Sequence, residues 1–291
     1  MYKVDNAVIM AAGASSRFAP LSYECPKALI EVKGEILIER QIHQLQEAGI
    51  REIYIVTGYK AEQFEYLREK YGVHIVENKE YLTKNNHSSI YAVRDILRNT
   101  YICSADNYFS ENPFESQVDD SYYAALYSDG PTNEWCMQTD ANGYVTDVKI
   151  GGENAWYMLG HAFWSEEFSE KFKKILVDIY DQPETKGLFW EDIFINNIAD
   201  LPMRMRKYED DVIFEFDSLD ELRLFDTSYV EDTRSTILKH IATQLDGKES
   251  EIVQVQAYKG ENTTAAGIRF IFRGALYEYA YADRQLRRIE K

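Results

Sequence analysis

Short apolar runs alternate with amphipathic stretches along the first hundred residues. AVIM at 7–10, EIYIVTG at 52–58, HIVEN at 74–78 and TYICSADNY at 100–108 are apolar through most of their length. ILIERQIHQLQEAG at 36–49, AEQFEYLREKYG at 61–72 and SSIYAVRDILR at 88–98 place apolar residues three or four apart. The first set predicts strands and the second helices. Strands that do not alternate need cover on both faces, so the pattern predicts an α/β fold with a Rossmann-like, mostly parallel sheet. Ligands of such folds bind at the carboxyl ends of the strands.

From 121 to 164 the runs SYYAALYS, GYVTDVKIG and WYMLGHAFW read as strands separated by the polar turns SDGPTN and DANG. They would extend the sheet or form a flap. Helical patterns at 166–180 and 190–200, a strand VIFEFDS at 212–218 and a helix from Asp220 complete a domain spanning 1–229. Residues 230–291 change character: a helix, DTRSTILKHIATQL, leads into the strands EIVQVQAYKG, AAGIRFIFRG and ALYEYAYAD. So small an α+β appendage buries little surface alone and should dock on the first domain or on another subunit, as in a homodimer.

Composition changes this picture by exclusion. With 49 acidic and 32 basic residues the net charge is −17, which disfavours nucleic acid as a partner and requires local Lys or Arg wherever a phosphate sits. No apolar run is long enough for a membrane helix and the start lacks a signal peptide's pattern, so a cytoplasmic protein without a membrane partner is expected. Cys25, Cys103 and Cys136 have no paired spacing, which suggests neither disulfides nor structural zinc.

The chemistry centres on AAGASSRFAPLSYECPKAL at 11–29, directly after the first strand. Ala11, Ala12, Gly13, Ala14, Ser15 and Ser16 are small enough for backbone N–H groups to approach phosphate oxygens, and Gly13 can take a positive φ. Arg17 and Lys27 supply positive charge. A bare connection with solvated Arg17 and Lys27 is the bland alternative, but the whole string resembles the G-x-x-x-R…P-K signature of the sugar-phosphate and alcohol-phosphate nucleotidyltransferases. Asp106, in SADNY at a strand end, is a candidate Mg²⁺ ligand, the alternative being a capping aspartate. Glu215 and Asp217 in FEFDS, two apart on a strand and so on one face, are the second candidate set of Mg²⁺ ligands, with a merely exposed face as the alternative. The resemblance implies that Asp106 and a late acidic residue hold catalytic magnesium.

Over residues 5 to 225 the chain resembles the bacterial CTP:phosphocholine cytidylyltransferases, which make CDP-choline. The matching pieces are the loop, VTGYKAEQFEYLREKYGV, KNNHSSIYAV, SADNYF, TNEW, FWED and FEFDS. A trimethylammonium group has no hydrogen-bond donors and suits aromatic faces beside a carboxylate. Trp135 in TNEW and Phe189, Trp190, Glu191 and Asp192 in FWED offer both, although such clusters are also ordinary core packing. Asn107, beside Asp106, is taken with this substrate group. The resemblance implies that Gly58, Tyr59, Asn85, Ser88, Ser89 and Ala105 contact the nucleotide; NNHSS, with Asn86 in it, could equally cap its own helix. His87 and His161 read as structural.

The implied reaction is CMP transfer from CTP to phosphocholine with release of pyrophosphate, with Arg17, Lys27 and Asp106 as the catalytic set. The phosphomonoester is largely ionised at neutral pH, its second pKa being about 6, so no general base is required. Acceptors with a primary amine, phosphoethanolamine or 2-aminoethylphosphonate, are the alternative, with sugar 1-phosphates more distant. From another class, the chain could be an inactive nucleotide-binding regulator. The C-terminal strands faintly resemble the first strands of choline-kinase-type phosphotransferases, without a catalytic lobe, and read as a kinase-lobe fragment or remnant, or as a plain docking module.

Overall fold

Four parallel strands make up one side of a seven-stranded sheet, from its edge inward in the order His74–Glu77, Ile53–Thr57, Asn6–Ala11 and Thr100–Ser104. The computed structural model describes residues 1–259 and 265–289. Val8, Ile9, Ile55 and Val56 are fully buried, as strands covered on both faces require. Helix Leu37–Glu47 supplies part of that cover, burying Leu37, Ile38, Ile42 and Leu45 from one stripe. The chain steps outward from Asn6–Ala11 through Ile53–Thr57 to His74–Glu77, then returns to place Thr100–Ser104 on the other side of the first strand. Strand order therefore reverses between Asn6–Ala11 and Thr100–Ser104, and a crevice opens at their carboxyl ends.

A long hairpin extends this sheet. Tyr122–Thr139 and Val145–Trp164 pair antiparallel, the second strand joins Thr100–Ser104, and Arg204–Lys207 runs parallel to the first as the edge. Of the two expected turns, only DANG is one. SDGPTN lies inside the first strand, where register shifts around Ser128 and Pro131 absorb its Gly and Pro while the partner arm still satisfies the backbone. The edge strand has no pattern that set it apart in the sequence.

Three expectations change in detail. The helix expected over 88–98 covers only His87–Ala92, because the N–H groups of Val93 and Ile96 bond to Ile90 and Val93 in successive tight turns. The run at 100–108 divides at Ala105 and Asp106, and Asn107–Phe109 pairs instead with Ile213–Glu215. That second strand ends at Glu215, so the common face expected for Glu215 and Asp217 does not exist.

The chain forms two compact units that differ from the expected division at 229/230. One comprises Met1–Gly13 and Leu37–Glu215; the other comprises Ala14–Ile36 and Phe216–Lys291. In the second unit, helices Leu219–Phe225, Ser228–Glu231 and Thr236–Gln244 precede an antiparallel meander of Ile252–Lys259, Ala265–Phe272, Ala275–Ala280 and Leu286–Arg288, one strand more than expected. Leu238, Ile241, Ile252, Ile268 and Phe270 are buried within it. Residues 260–264, within the segment that faintly resembles choline-kinase-type phosphotransferases, lie outside the described residues. Among the described residues no helix is long and apolar enough to cross a membrane.

Gly160 tests the larger unit's packing. Its φ is +105°, and a Cβ there would lie 2.9 Å from Ile213 Cδ1. Gly160→Ala should lower the unfolding free energy by roughly 1–3 kcal/mol in denaturant titrations, since both backbone and space oppose it. An unchanged value would mean that the hairpin can move away from Ile213 at no cost.

Candidate active site

Helix Trp190–Ile195 and the long hairpin enclose a cavity of about 270 Å³ within the larger unit. Trp135 and Phe189 meet edge to face, ring centroids 5.8 Å apart, and both line it. Tyr123, Glu134, Glu191 and Glu215 contribute the rest of its character, and no Lys or Arg is among its lining residues. Glutamates beside aromatic faces are the combination that a cation favours. The volume is near the lower end of the roughly 300–1,000 Å³ typical of ligand pockets, suiting a small acceptor rather than a nucleoside triphosphate.

Glu191 is held on both sides. Tyr123 Oη donates to Oε1 at 3.2 Å, and Asn86 Nδ2 donates to Oε2 at 3.0 Å. Asn86 Oδ1 in turn accepts from the Trp190 backbone N–H at 2.7 Å. Burial nevertheless pushes the Glu191 carboxyl up to about 7, against those hydrogen bonds. Asn107 lies at the same cavity: its carboxamide is buried, and neither Nδ2 nor Oδ1 has a hydrogen-bond partner. Buried polar groups are rarely left so, and an unmatched carboxamide in a pocket wall is suited to a ligand.

Not every expected residue faces this cavity. Trp190 is 1% exposed and packs in the core against Tyr123, Trp164 and Phe172, so its indole is a wall behind the pocket. The Asp192 carboxylate accepts from the Phe189 N–H at 2.7 Å and caps the start of the helix. Ser88 and Ser89 are buried, and each hydroxyl accepts from Asn78 Nδ2. Asn85 binds the backbone of Lys186 and Gly187, and buried His87 binds Leu188 O, so NNHSS anchors the segment that carries Phe189 and Glu191. His161, also buried, meets the Tyr122 and Tyr208 hydroxyls. Both histidines are fully buried and lie outside the cavity lining.

At the strand-order reversal, the Ala105 N–H donates to Met10 O, and the Tyr59 N–H to Ala12 O. These bonds fix the first part of the loop, Ala11 to Gly13, beside the Asp106 turn. Gly58 is required for another reason: a Cβ there would lie 2.7 Å from the Tyr81 ring. Asp106 directly precedes Asn107, which is paired in register with Glu215. Mg²⁺ takes one or two carboxylates and completes its shell with water and substrate phosphates, so this donor pair fits it. Among the described residues no group of three His, Cys, Asp or Glu forms an all-protein cage.

The rest of the loop belongs to the other unit. Gly13 does not adopt the positive φ expected of it; Ser15 does, at 45°. Ala14 and Ser16 are exposed around that turn. The Arg17 guanidinium is exposed and pairs with Asp217 at 2.6 Å, while Lys27 is buried with Nζ 5.6 Å from the centroid of the Phe18 ring. Asp217 is thus Arg17's partner, and its own N–H donates to the Glu221 carboxylate.

Comparison with known proteins decides the family. Residues 7–114 match the MobA-like NTP transferase domain. The 2-aminoethylphosphonate cytidylyltransferase of Lancefieldella rimae is 40% identical over 77% of this chain and 93% of its own length. The choline-phosphate cytidylyltransferase of Streptococcus pneumoniae is 36% identical over 75% and 95%. The chain belongs to the cytidylyltransferases. The solved CTP:phosphocholine cytidylyltransferase from Streptococcus pneumoniae superposes with a TM-score of 0.74 over 78% of this cytidylyltransferase and 99% of that chain.

Tyr123 and Glu134 were not singled out in the sequence. Tyr123 sits in a strand whose apolar pattern hides it; Glu134, adjacent to Trp135 in TNEW, was within reach. Glu191 gives this cytidylyltransferase a testable pH dependence. An unfolded chain releases that proton near 4.5 and the folded one near 7, so stability from this site is full below 4.5 and lost as pH rises through 7. About 3 kcal/mol is involved as an order of magnitude. Glu191→Gln should lose less unfolding free energy than the parent between about pH 5 and about pH 8. Equal losses in denaturant titrations would return Glu191 to an ordinary carboxyl.

Proposed function

We propose that the chain transfers CMP from CTP to phosphocholine, giving CDP-choline and pyrophosphate, and the observation that carries this reading is the cationic-headgroup pocket. The pair of Trp135 and Phe189 rings beside Glu134 and Glu191 is suited to trimethylammonium. The match to a phosphocholine enzyme across 99% of its solved chain supports the same acceptor. Asn107, unmatched in the pocket wall, would meet the polar part of the acceptor.

The loop from Ala11 to Lys27 would take the triphosphate, with backbone N–H groups, Arg17 and Lys27 on its oxygens. Asp106 and Glu215 would hold Mg²⁺, with Asp217 setting Arg17. The chemistry the metal would supply is neutralisation of charge on the α-phosphate and the leaving pyrophosphate. The acceptor's phosphate oxygen attacks the α-phosphorus, the bond to the β-phosphate bridging oxygen breaks, and pyrophosphate carries that electron pair away. Holding the two phosphates in line is the protein's main task.

The Lancefieldella rimae relative, at 40% identity, favours a second reading in which the acceptor is 2-aminoethylphosphonate. Pyrophosphate release measured over a matrix of nucleoside triphosphates and phospho-acceptors separates the two. CTP with phosphocholine should give the highest kcat/KM; a higher value with 2-aminoethylphosphonate would transfer the assignment, and release with no pair would favour a regulatory nucleotide-binding protein. Asp106→Ala should abolish turnover, and substantial remaining activity would remove it from the metal site. Trp135→Ala should raise the KM for phosphocholine by roughly tenfold while leaving that for CTP near the parent value, as expected for loss of one cation–π face. An unchanged KM would take Trp135 out of the pocket's function.

A further inference from the structure

The segment Ala14–Ile36, which carries Arg17 and Lys27, belongs to one compact unit with the C-terminal residues from Phe216. Glu24, three residues before Lys27, accepts from the backbone N–H groups of Thr236 at 2.8 Å and Ile237 at 3.3 Å, and from the Thr236 hydroxyl. Those N–H groups are the first two of helix Thr236–Gln244, which intrahelical bonds leave unsatisfied, so a carboxylate from the loop completes the helix start. Further along, Glu31 O accepts from Tyr229 Oη at 2.6 Å and from Arg234 Nη1 at 3.0 Å. The Lys33 N–H donates to Asp226 at 2.7 Å. Tyr23 stacks on Tyr281 with ring centroids 4.1 Å apart. Anchors thus fall at positions 23, 24, 31 and 33, on both sides of Lys27.

We propose that residues 226–259 and 265–281 are a positioning element for the triphosphate loop, setting affinity for CTP and not for the acceptor. A loop tied at several points has less freedom to lose when a triphosphate binds, and each freed anchor returns that cost to binding. The inference rests on the reading of Ala11–Lys27 as the CTP loop. It assigns function to the appendage whatever its ancestry, and it names Glu24, Tyr229 and Thr236 as positioning residues.

The test uses the full chain with Thr236→Val plus Tyr229→Phe, and with Thr236→Ser as the conservative control. Losing hydrogen bonds to a carboxylate and a carbonyl should raise the KM for CTP by roughly tenfold, with kcat and the acceptor KM within about twofold of the parent. Thr236→Ser keeps the hydroxyl and should restore the parent KM. Amide hydrogen exchange across 14–36 should quicken in the double variant. If that variant fails to fold, Tyr229→Phe alone, which removes one hydroxyl, is read by the same exchange and KM. A parent chain active with CTP whose variants keep both its KM and its exchange pattern overturns the inference alone. A parent that releases no pyrophosphate from CTP overturns the reading of the loop, and the inference with it.

Discussion

A carboxylate enclosed in a protein wall survives only where donors meet its oxygens, and the acceptor pocket is arranged around that requirement at Glu191. Tyr123 comes from the hairpin, Asn86 from the turn before helix His87–Ala92, and Glu191 from the helix after Gly187. Three segments distant in sequence must therefore converge to keep one side chain acceptable. Asn86 also takes the Trp190 N–H, and Asn85 and His87 bind backbone on the same segment, so NNHSS positions the pocket's helix even where it touches no ligand. Phe189 is placed by the same anchoring: it sits at the helix start with its N–H on Asp192 and its ring against Trp135.

The nucleotide loop obeys a different economy of contacts. Its first residues continue out of a central strand and are fixed by bonds at Met10 and Ala12. Beyond Gly13 the loop runs through short turns, among them Ser16–Phe18, Leu21–Glu24 and Lys27–Leu29, and elements so short need anchors from elsewhere. The C-terminal unit supplies them at Tyr23, Glu24, Glu31 and Lys33, and the Arg17–Asp217 pair lies in the same unit. Mostly solvent-exposed, that pair contributes little to stability.

How much of this was legible depended on whether a residue's role is local. The parallel strands and the helix at 37–47 could be read because apolar runs and helical periodicity reflect burial directly. Trp135, Phe189, Glu191 and Asn107 could be named from short motifs, and the cavity gathers all four. Motif proximity misled where neighbours in sequence point apart: Trp190 and Asp192 flank Glu191, yet helical geometry sends one to the core and makes the other a cap. Glu215 and Asp217 failed as a same-face pair because the strand ends between them. Tyr123 could not be found, since only hairpin register brings it beside Glu191. The loop's attachment to residues 226–259 and 265–281 was likewise invisible, because Glu24 meeting Thr236 spans over two hundred residues and follows no local pattern.

The acceptor's identity turns on what a cation loses when it leaves water. A primary ammonium gives up three donated hydrogen bonds and needs acceptors placed to replace them. Both oxygens of Glu191 already accept from protein donors, which reduces what the pocket offers such a group. A trimethylammonium donates nothing, so it requires only negative potential and polarisable surface, and the Trp135 and Phe189 rings beside Glu134 and Glu191 suit both. Identities of 40% over 77% of the chain and 36% over 75% of it, to enzymes for the two acceptors, differ too little to weigh against this. The hydrogen bonds that make a half-buried Glu191 tolerable thereby also bias the pocket toward the cation that asks for none.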